Sequence, residues 1–185
     1  MREIDKQLHD AARDSDCAAI ARLIAEGANL EAQSYYGRTA LHFAAIHGRT
    51  EAIKVLIRTG TNIEAQDGLE RTALHNAASH DRTEAMEALI RAGADLDAQN
   101  RHGWTALHYT AGKGNTATME LLIRAGADLN AKTTRECAHT FAGWTPRDMA
   151  EFRRHTDIVS LIDDALSAQA IQKKPGHGRR QRSAL

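Results

Sequence analysis

Aromatic residues are scarce in this 185-residue chain, which has three Phe, three Tyr and two Trp. Its apolar mass, 42% of residues, is mostly Ala, Leu and Ile, so the interior must be built from small side chains that suit close stacking of helices. Net charge is also lacking, with 24 basic residues against 24 acidic ones. The balance is uneven along the chain, however. From Ser167 onward there are five Lys or Arg and no acid, which leaves a mildly acidic body with a basic end. No stretch of about 18 apolar residues occurs and the first six residues, Met1 to Lys6, are largely charged, so neither a membrane span nor a signal peptide is expected and a soluble, cytoplasmic protein is. The two cysteines, Cys17 and Cys137, fall near opposite ends of the repetitive region described next. They are expected to be free thiols in a reducing compartment and not a disulfide.

What the chain has in abundance is repetition. Arg38-Thr39-Ala40-Leu41-His42, Arg71-Thr72-Ala73-Leu74-His75 and Trp104-Thr105-Ala106-Leu107-His108 stand 33 residues apart. Each leads into a second recurring phrase: Leu56-Ile57-Arg58-Thr59-Gly60, Leu89-Ile90-Arg91-Ala92-Gly93 and Leu122-Ile123-Arg124-Ala125-Gly126. A fixed period of this length identifies a stack of small units. Within a unit the Thr is a candidate N-cap and an Ala-rich helix is predicted from about Ala40 to Ile46. A turn at His47-Gly48-Arg49 reverses the chain. A second helix, near Glu51 to Thr59, sets Ile53, Leu56 and Ile57 on one face, with Gly60 ending it in the left-handed region. Thr61 to Arg71 reads as a projecting turn.

Counting back 33 residues places Leu8, His9, Leu23 and Gly27 in register with Leu41, His42, Leu56 and Gly60, so a first unit begins almost at the N-terminus. At the other end Gly143-Trp144-Thr145-Pro146 restarts the pattern after 40 residues, seven more than the period. In that last unit Asp163 takes the place of Ile57 and Leu166 that of the helix-ending Gly, as a closing cap requires. Five repeats are expected, at 4–33, 34–66, 67–99, 100–132 and 140–170, with an insertion at 133–142. Residues 1–170 would form one repeat domain and 171–185 a basic, disordered tail.

These phrases resemble the ankyrin repeat family, whose units carry Gly-x-Thr-Pro-Leu-His-x-Ala-Ala and Leu-Leu-x-x-Gly-Ala-Asp-x-Asn. The resemblance covers residues 4 to 166. Ala40, Ala73 and Ala106 depart from the family's Pro, which only Pro146 keeps. Glu70 replaces the finger Gly and Asp81 the Gly of the inter-helix turn, so the third repeat is expected to be the least regular. The resemblance implies an all-α, ankyrin-type solenoid of paired antiparallel helices with projecting β-turn or hairpin fingers.

The chemistry is sparse. His42, His75 and His108 recur in register, but equivalent positions of stacked helices lie about 8–10 Å apart, too far to share a metal that holds nitrogens at about 2 Å. Each ring is expected to bond to its capping Thr and nearby backbone. Cys137 and His139 are two ligands without a third. Gly112-Lys113-Gly114-Asn115-Thr116 lacks the spacing of a phosphate loop and fits an inter-helix turn. No catalytic motif occurs. No cofactor, metal site or enzymatic activity is expected.

A partner would meet the aromatic half of the repeats. Counting from each capping Thr, positions four, three and one before it should form the finger tip, and positions seven and eight after it should face the concave groove. This nominates Tyr35, Tyr36, Arg38, Ile46 and His47 in repeat two and Leu69, Arg71 and His80 in repeat three. Arg101, His102, Trp104 and Lys113 follow in repeat four, and Phe141, Trp144 and Arg153 in the cap. Tyr, Trp and Arg are the residues best suited to binding hot spots. On the other reading Phe43, Tyr109 and Phe152 are core, and Trp104 and Trp144 pack finger to finger. The expected function is protein–protein interaction by a monomeric adaptor or stoichiometric regulator. The alternative is tethering to nucleic acid or an acidic surface through the basic tail, which an acidic body disfavours.

Overall fold

A computed structural model describes residues 1–134 and 142–172. Ten helices are described: α1 (Glu3–Asp14), α2 (Cys17–Ala25), α3 (Ala40–Ile46), α4 (Thr50–Arg58), α5 (Ala73–Ser79), α6 (Thr83–Arg91), α7 (Ala106–Lys113), α8 (Thr116–Ala125), α9 (Pro146–Phe152) and α10 (Thr156–Gln172). Odd-numbered helices pack on one another in sequence as an inner layer, even-numbered ones as an outer layer. Between the layers runs one continuous core. Leu8, Leu41, Leu74 and Leu107 line it from the inner helices, and Leu23, Leu56, Leu89 and Leu122 from the outer ones, all essentially inaccessible to solvent. Buried Ala40, Ala44, Ala45, Ala73, Ala77 and Ala78 let adjacent inner helices approach closely, because a methyl group holds neighbouring helices no further apart than their backbones require.

The sequence pattern accounts for where the helices begin. At Thr39, Thr72 and Thr105 the backbone is extended, and the residue three positions on is His42, His75 or His108. Its ring accepts from the Thr backbone N–H at 3.1–3.2 Å, a reciprocal cap in which an imidazole replaces the usual acid. In the last unit Asp148 takes this place, with Oδ2 accepting from both the N–H and the hydroxyl of Thr145 at 2.8 Å.

The outer helices begin one residue earlier than predicted, at Thr50 rather than Glu51 in repeat two. The third repeat, expected to be the least regular, has helices of the same lengths as the second, seven and nine residues. Glu70 (φ 61°) and Asp81 (φ 55°) simply adopt the left-handed backbone that glycine holds elsewhere. The strain is absorbed locally and leaves the helices unaltered. It is repeat four, with helices of eight and ten residues, that differs in length.

The closing cap exchanges one interlayer contact for another. Arg147 stands in register with Leu41, Leu74 and Leu107, and Asp163 with Ile57, Ile90 and Ile123. The guanidinium meets the carboxylate at both oxygens, 2.7 and 3.0 Å. An ion pair thus bridges α9 and α10 where an aliphatic pair would lie, and it holds the Asp163 carboxyl below its ordinary range. With no glycine to stop it, α10 runs on for 17 residues to Gln172, two past the expected boundary.

Candidate interaction surface

Each finger is a tight turn closed by a side chain at its entry. Asp67 Oδ1 accepts from the N–H groups of Leu69 and Arg71 at 2.8 and 3.0 Å, and Asn100 Oδ1 does the same for His102 and Trp104. Successive fingers are then joined by single backbone bonds: Gly68 N–H to the Tyr36 carbonyl at 2.8 Å, Arg101 to Leu69 at 3.3 Å, and Thr134 to His102 at 3.0 Å. Among the described residues these projections are turns and not hairpins, since no strand is formed. The last finger shows where the extra residues enter. Thr133 N–H donates to the Trp144 carbonyl at 3.0 Å and Gly143 N–H to the Thr133 carbonyl at 2.8 Å, the pairing that closes the shorter fingers. The insertion is therefore spliced into a finger tip. Phe141, Cys137 and His139 lie outside the described residues.

The histidines join one unit to the next. While Nδ1 faces the Thr cap, Nε2–H donates to a carbonyl of the following finger: His42 to Arg71, His75 to Trp104 and His108 to Trp144, at 2.9–3.0 Å. In the first unit His9 reaches the Ala32 carbonyl at 2.9 Å. Backbone N–H can only donate and a carbonyl can only accept, so His42, His75 and His108 are held neutral in a single tautomer. Burial pushes all of these rings below the ordinary histidine range, His75 down to about 4. They are structural, as their spacing implied. Among the described residues no group of three or more His, Cys, Asp or Glu is placed to hold a metal ion, and Cys17 is a free thiol.

The nominated surface residues divide. Tyr35 and Tyr36 stand at the tip of the first full finger, 97% and 67% exposed. Their rings meet edge to face at 5.3 Å, and the Arg38 guanidinium lies 5.6 Å from the centre of the Tyr36 ring. Leu69 is 41% exposed on the next finger. His47, His80 and Lys113 share an exposed register at the ends of the inner helices, with Arg153 in the same place in the cap. Burial lowers the His47 pKa, aided by the nearby cations Arg49, Arg13 and Arg82 and by His80, while the His80 ring is engaged by Ser79 Oγ at 2.8 Å.

Four others take different places from those expected. Ile46 is only 8% exposed, because the following unit closes over the end of α3; Arg82, from that unit, donates to its carbonyl at 3.1 Å. Arg71 is turned onto its own finger, where Nη2 and Nε meet Asp67 Oδ2 at 2.7 and 3.0 Å. Burial works against the charge of Asp67, yet this guanidinium and the finger N–H groups keep its carboxyl below the ordinary range. Trp104 is half-buried, edge to face with Tyr109 at 5.1 Å and stacked over His108 at 6.5 Å. Trp144 is also half-buried and meets Phe152 at 5.3 Å. Both indoles thus rest against rings of their own inner helix. Arg101 and His102 are partly exposed, and the Arg101 guanidinium is hydrogen-bonded to the Gly68 carbonyl.

One residue that the alternative reading of the sequence assigned to the core is open. Phe152 is 57% exposed, although it stands seven positions after its capping Thr, as Ile46 does. Among the described residues no further inner helix packs on α9 as α5 packs on α3. No helix among the described residues is long and apolar enough to cross a membrane.

A comparison with curated proteins finds no match. A family model described as ankyrin repeats (3 copies) matches three overlapping stretches, residues 8–100, 59–133 and 85–168. With ten helices in two layers, a turn between each pair of units and this match running almost from end to end, the chain belongs to the ankyrin repeat family.

Proposed function

We propose that the chain is a non-catalytic, cytoplasmic adaptor or stoichiometric regulator that binds a protein partner through its finger tips and the exposed ends of its inner helices. Ankyrin repeats are in general protein–protein interaction modules. The observation that carries the finer reading is the Tyr35–Tyr36 pair. Two phenol rings standing in solvent at a turn tip have no packing role large enough to explain them, and with Arg38 alongside they combine apolar area, hydrogen-bonding tips and a cation. His47, His80 and Lys113 extend the surface along the inner-helix ends, while Leu69 continues it across the neighbouring finger.

The test is affinity capture from a lysate of the source cell by the native chain and by a Tyr35→Ser, Tyr36→Ser variant, with retained proteins identified by mass spectrometry. Both side chains lie outside the core, so the variant should unfold within about 0.5 kcal/mol of the native chain. Trp104 and Trp144 are left alone, because replacing half-buried rings would confound binding with folding. A protein held by the native chain and lost by the variant supports the reading. Equal capture by both overturns the role of the finger.

A further inference from the structure

The turns that join inner to outer helices change sign after the first unit. In that unit the three turn positions are Asp14, Ser15 and Asp16; over the next four units the same positions hold five Lys or Arg, three His and one Asp. His47, His80, Lys113 and Arg153 stand in one register, all exposed, and two residues further on come Arg49 and Arg82, also exposed. The body of the chain is mildly acidic, so this stripe is a local excess of positive charge.

Part of that charge is structural. Arg49 Nε donates to the Arg13 carbonyl in the last turn of α1 at 2.8 Å, and one repeat later Arg82 Nε donates to the Ile46 carbonyl at the end of α3 at 3.1 Å. His155 Nε2 makes the corresponding bond to Gly112 at 3.3 Å. Each clasps the C-terminal end of the preceding inner helix, where free carbonyls attract a cation. The bond uses Nε alone and leaves both Nη groups of each guanidinium to donate. Among the described residues neither Arg49 nor Arg82 meets a carboxylate, and Lys113, Arg153 and Arg154 enter no ion pair. Asp14, at the head of the stripe, is taken by Arg13 at 3.0 Å. The cations of successive units are also close to one another. A Cβ added to Gly48 would come 2.9 Å from Arg82 Cδ, so the side chain of one unit lies across the turn of the unit before it. His47 feels the crowding: after burial, Arg49, Arg13, Arg82 and His80 all lower its pKa.

The interval between units selects the occupant. Inner helices pack side by side in sequence, about 8–10 Å from one to the next. An extended peptide advances about 3.3 Å per residue, which brings every third side chain to the same interval. A nucleic-acid strand carries a charge about every 3.4 Å and would set several phosphates against each unit, Asp81 and the uncharged pair Gly114 and Asn115 included. A carboxylate spaced to the repeat meets a guanidinium whose two Nη groups can grip it with parallel bonds.

We propose that this stripe receives an acidic segment of the partner protein, extended across repeats two to five with about one carboxylate side chain against each unit. The inference deepens the function proposed above and rests on it in one respect, that a protein lies along the inner-helix ends.

The experiment titrates the ¹⁵N-labelled full chain with a synthetic peptide of four Glu-Ser-Gly units, followed in ¹H–¹⁵N spectra that also report whether each variant is folded. The 47–49, 80–82 and 113–115 amides should shift. A peptide of the same composition with its four Glu in one block should bind about threefold more weakly. Lys113→Gln with Arg153→Gln should weaken binding of the spaced peptide about three- to tenfold, and Arg49→Gln with Arg82→Gln should do so at least as strongly. The first pair of side chains makes no clasp, so its loss of binding is free of any effect on the fold. Unshifted amides at these turns, equal affinity for the two peptides, or equal affinity of the Lys113→Gln, Arg153→Gln chain each overturn the proposal. Tighter binding of a twelve-nucleotide oligothymidylate at the same amides also overturns it and assigns the stripe to phosphate. The Tyr35→Ser, Tyr36→Ser chain should take the spaced peptide as the native chain does. Failure here therefore leaves the role of the finger standing, and failure of the finger in lysate capture leaves this result standing.

Discussion

Between the helix that carries it and the finger of the next unit, each of His42, His75 and His108 satisfies its neighbours in one protonation state only. A second proton on Nδ1 would face a backbone N–H and break the cap. Because burial lowers the folded-state pKa, the unfolded chain binds protons that the folded chain refuses. The stability these rings confer is therefore complete above the ordinary histidine value of 6.5 and is lost as pH falls towards the folded value, about 4 for His75. Urea unfolding midpoints should drop between pH 7 and pH 5, a window in which most carboxylates stay ionised. A His75→Ala chain should start about 2 kcal/mol less stable, through lost and orphaned hydrogen bonds, and show a shallower fall over the same window. An equal pH slope in both chains would contradict this account. The tyrosine pair was legible at this scale, since a turn tip is exposed whatever surrounds it. Ile46 and Arg71 were not, because what a side chain at those positions touches depends on the unit stacked behind it and on Asp67 across the turn.

A turn that glycine would fill without strain is filled by Glu70 in the third repeat, and its neighbours register the difference. At the equivalent positions a Cβ on Gly37 or Gly103 would come within 2.5 Å of the next finger's backbone. Glu70 has that Cβ, and the bond from Arg101 to Leu69 beside it is 3.3 Å, against 2.8 and 3.0 Å at the other fingers. Replacing Glu70 with Gly relieves both the left-handed backbone and the crowding. The net gain should be about 1 kcal/mol, after the flexibility glycine adds to the unfolded chain is deducted. Chemical unfolding measures it, and an unchanged or lower midpoint would refute the assignment of strain. Helix existence and most boundaries were readable from the 33-residue period and its Thr caps. The regularity of repeat three was not, because a side chain's tolerance of the left-handed region is settled by the surrounding turn and not by the residue type alone.

In a stack of this kind each unit rests only on its neighbours, so total stability is close to a sum of unit and interface contributions. A defect in the middle weakens two interfaces at once. Leu89 is fully buried in α6, between α4 and α8, and Leu89→Ala should cost about 2–5 kcal/mol. A single cooperative transition that moves to lower denaturant is the expected outcome; a negligible change would count against this core. The splice in the last finger bears on the molecule as a whole in another way. Its two ends are clasped by the bonds that close a finger of ordinary length, so α7 and α9 stack as if nothing had been added. That finger is a socket: the sequence between its clasped ends can be exchanged for another, longer or shorter, while the scaffold on either side keeps its pitch.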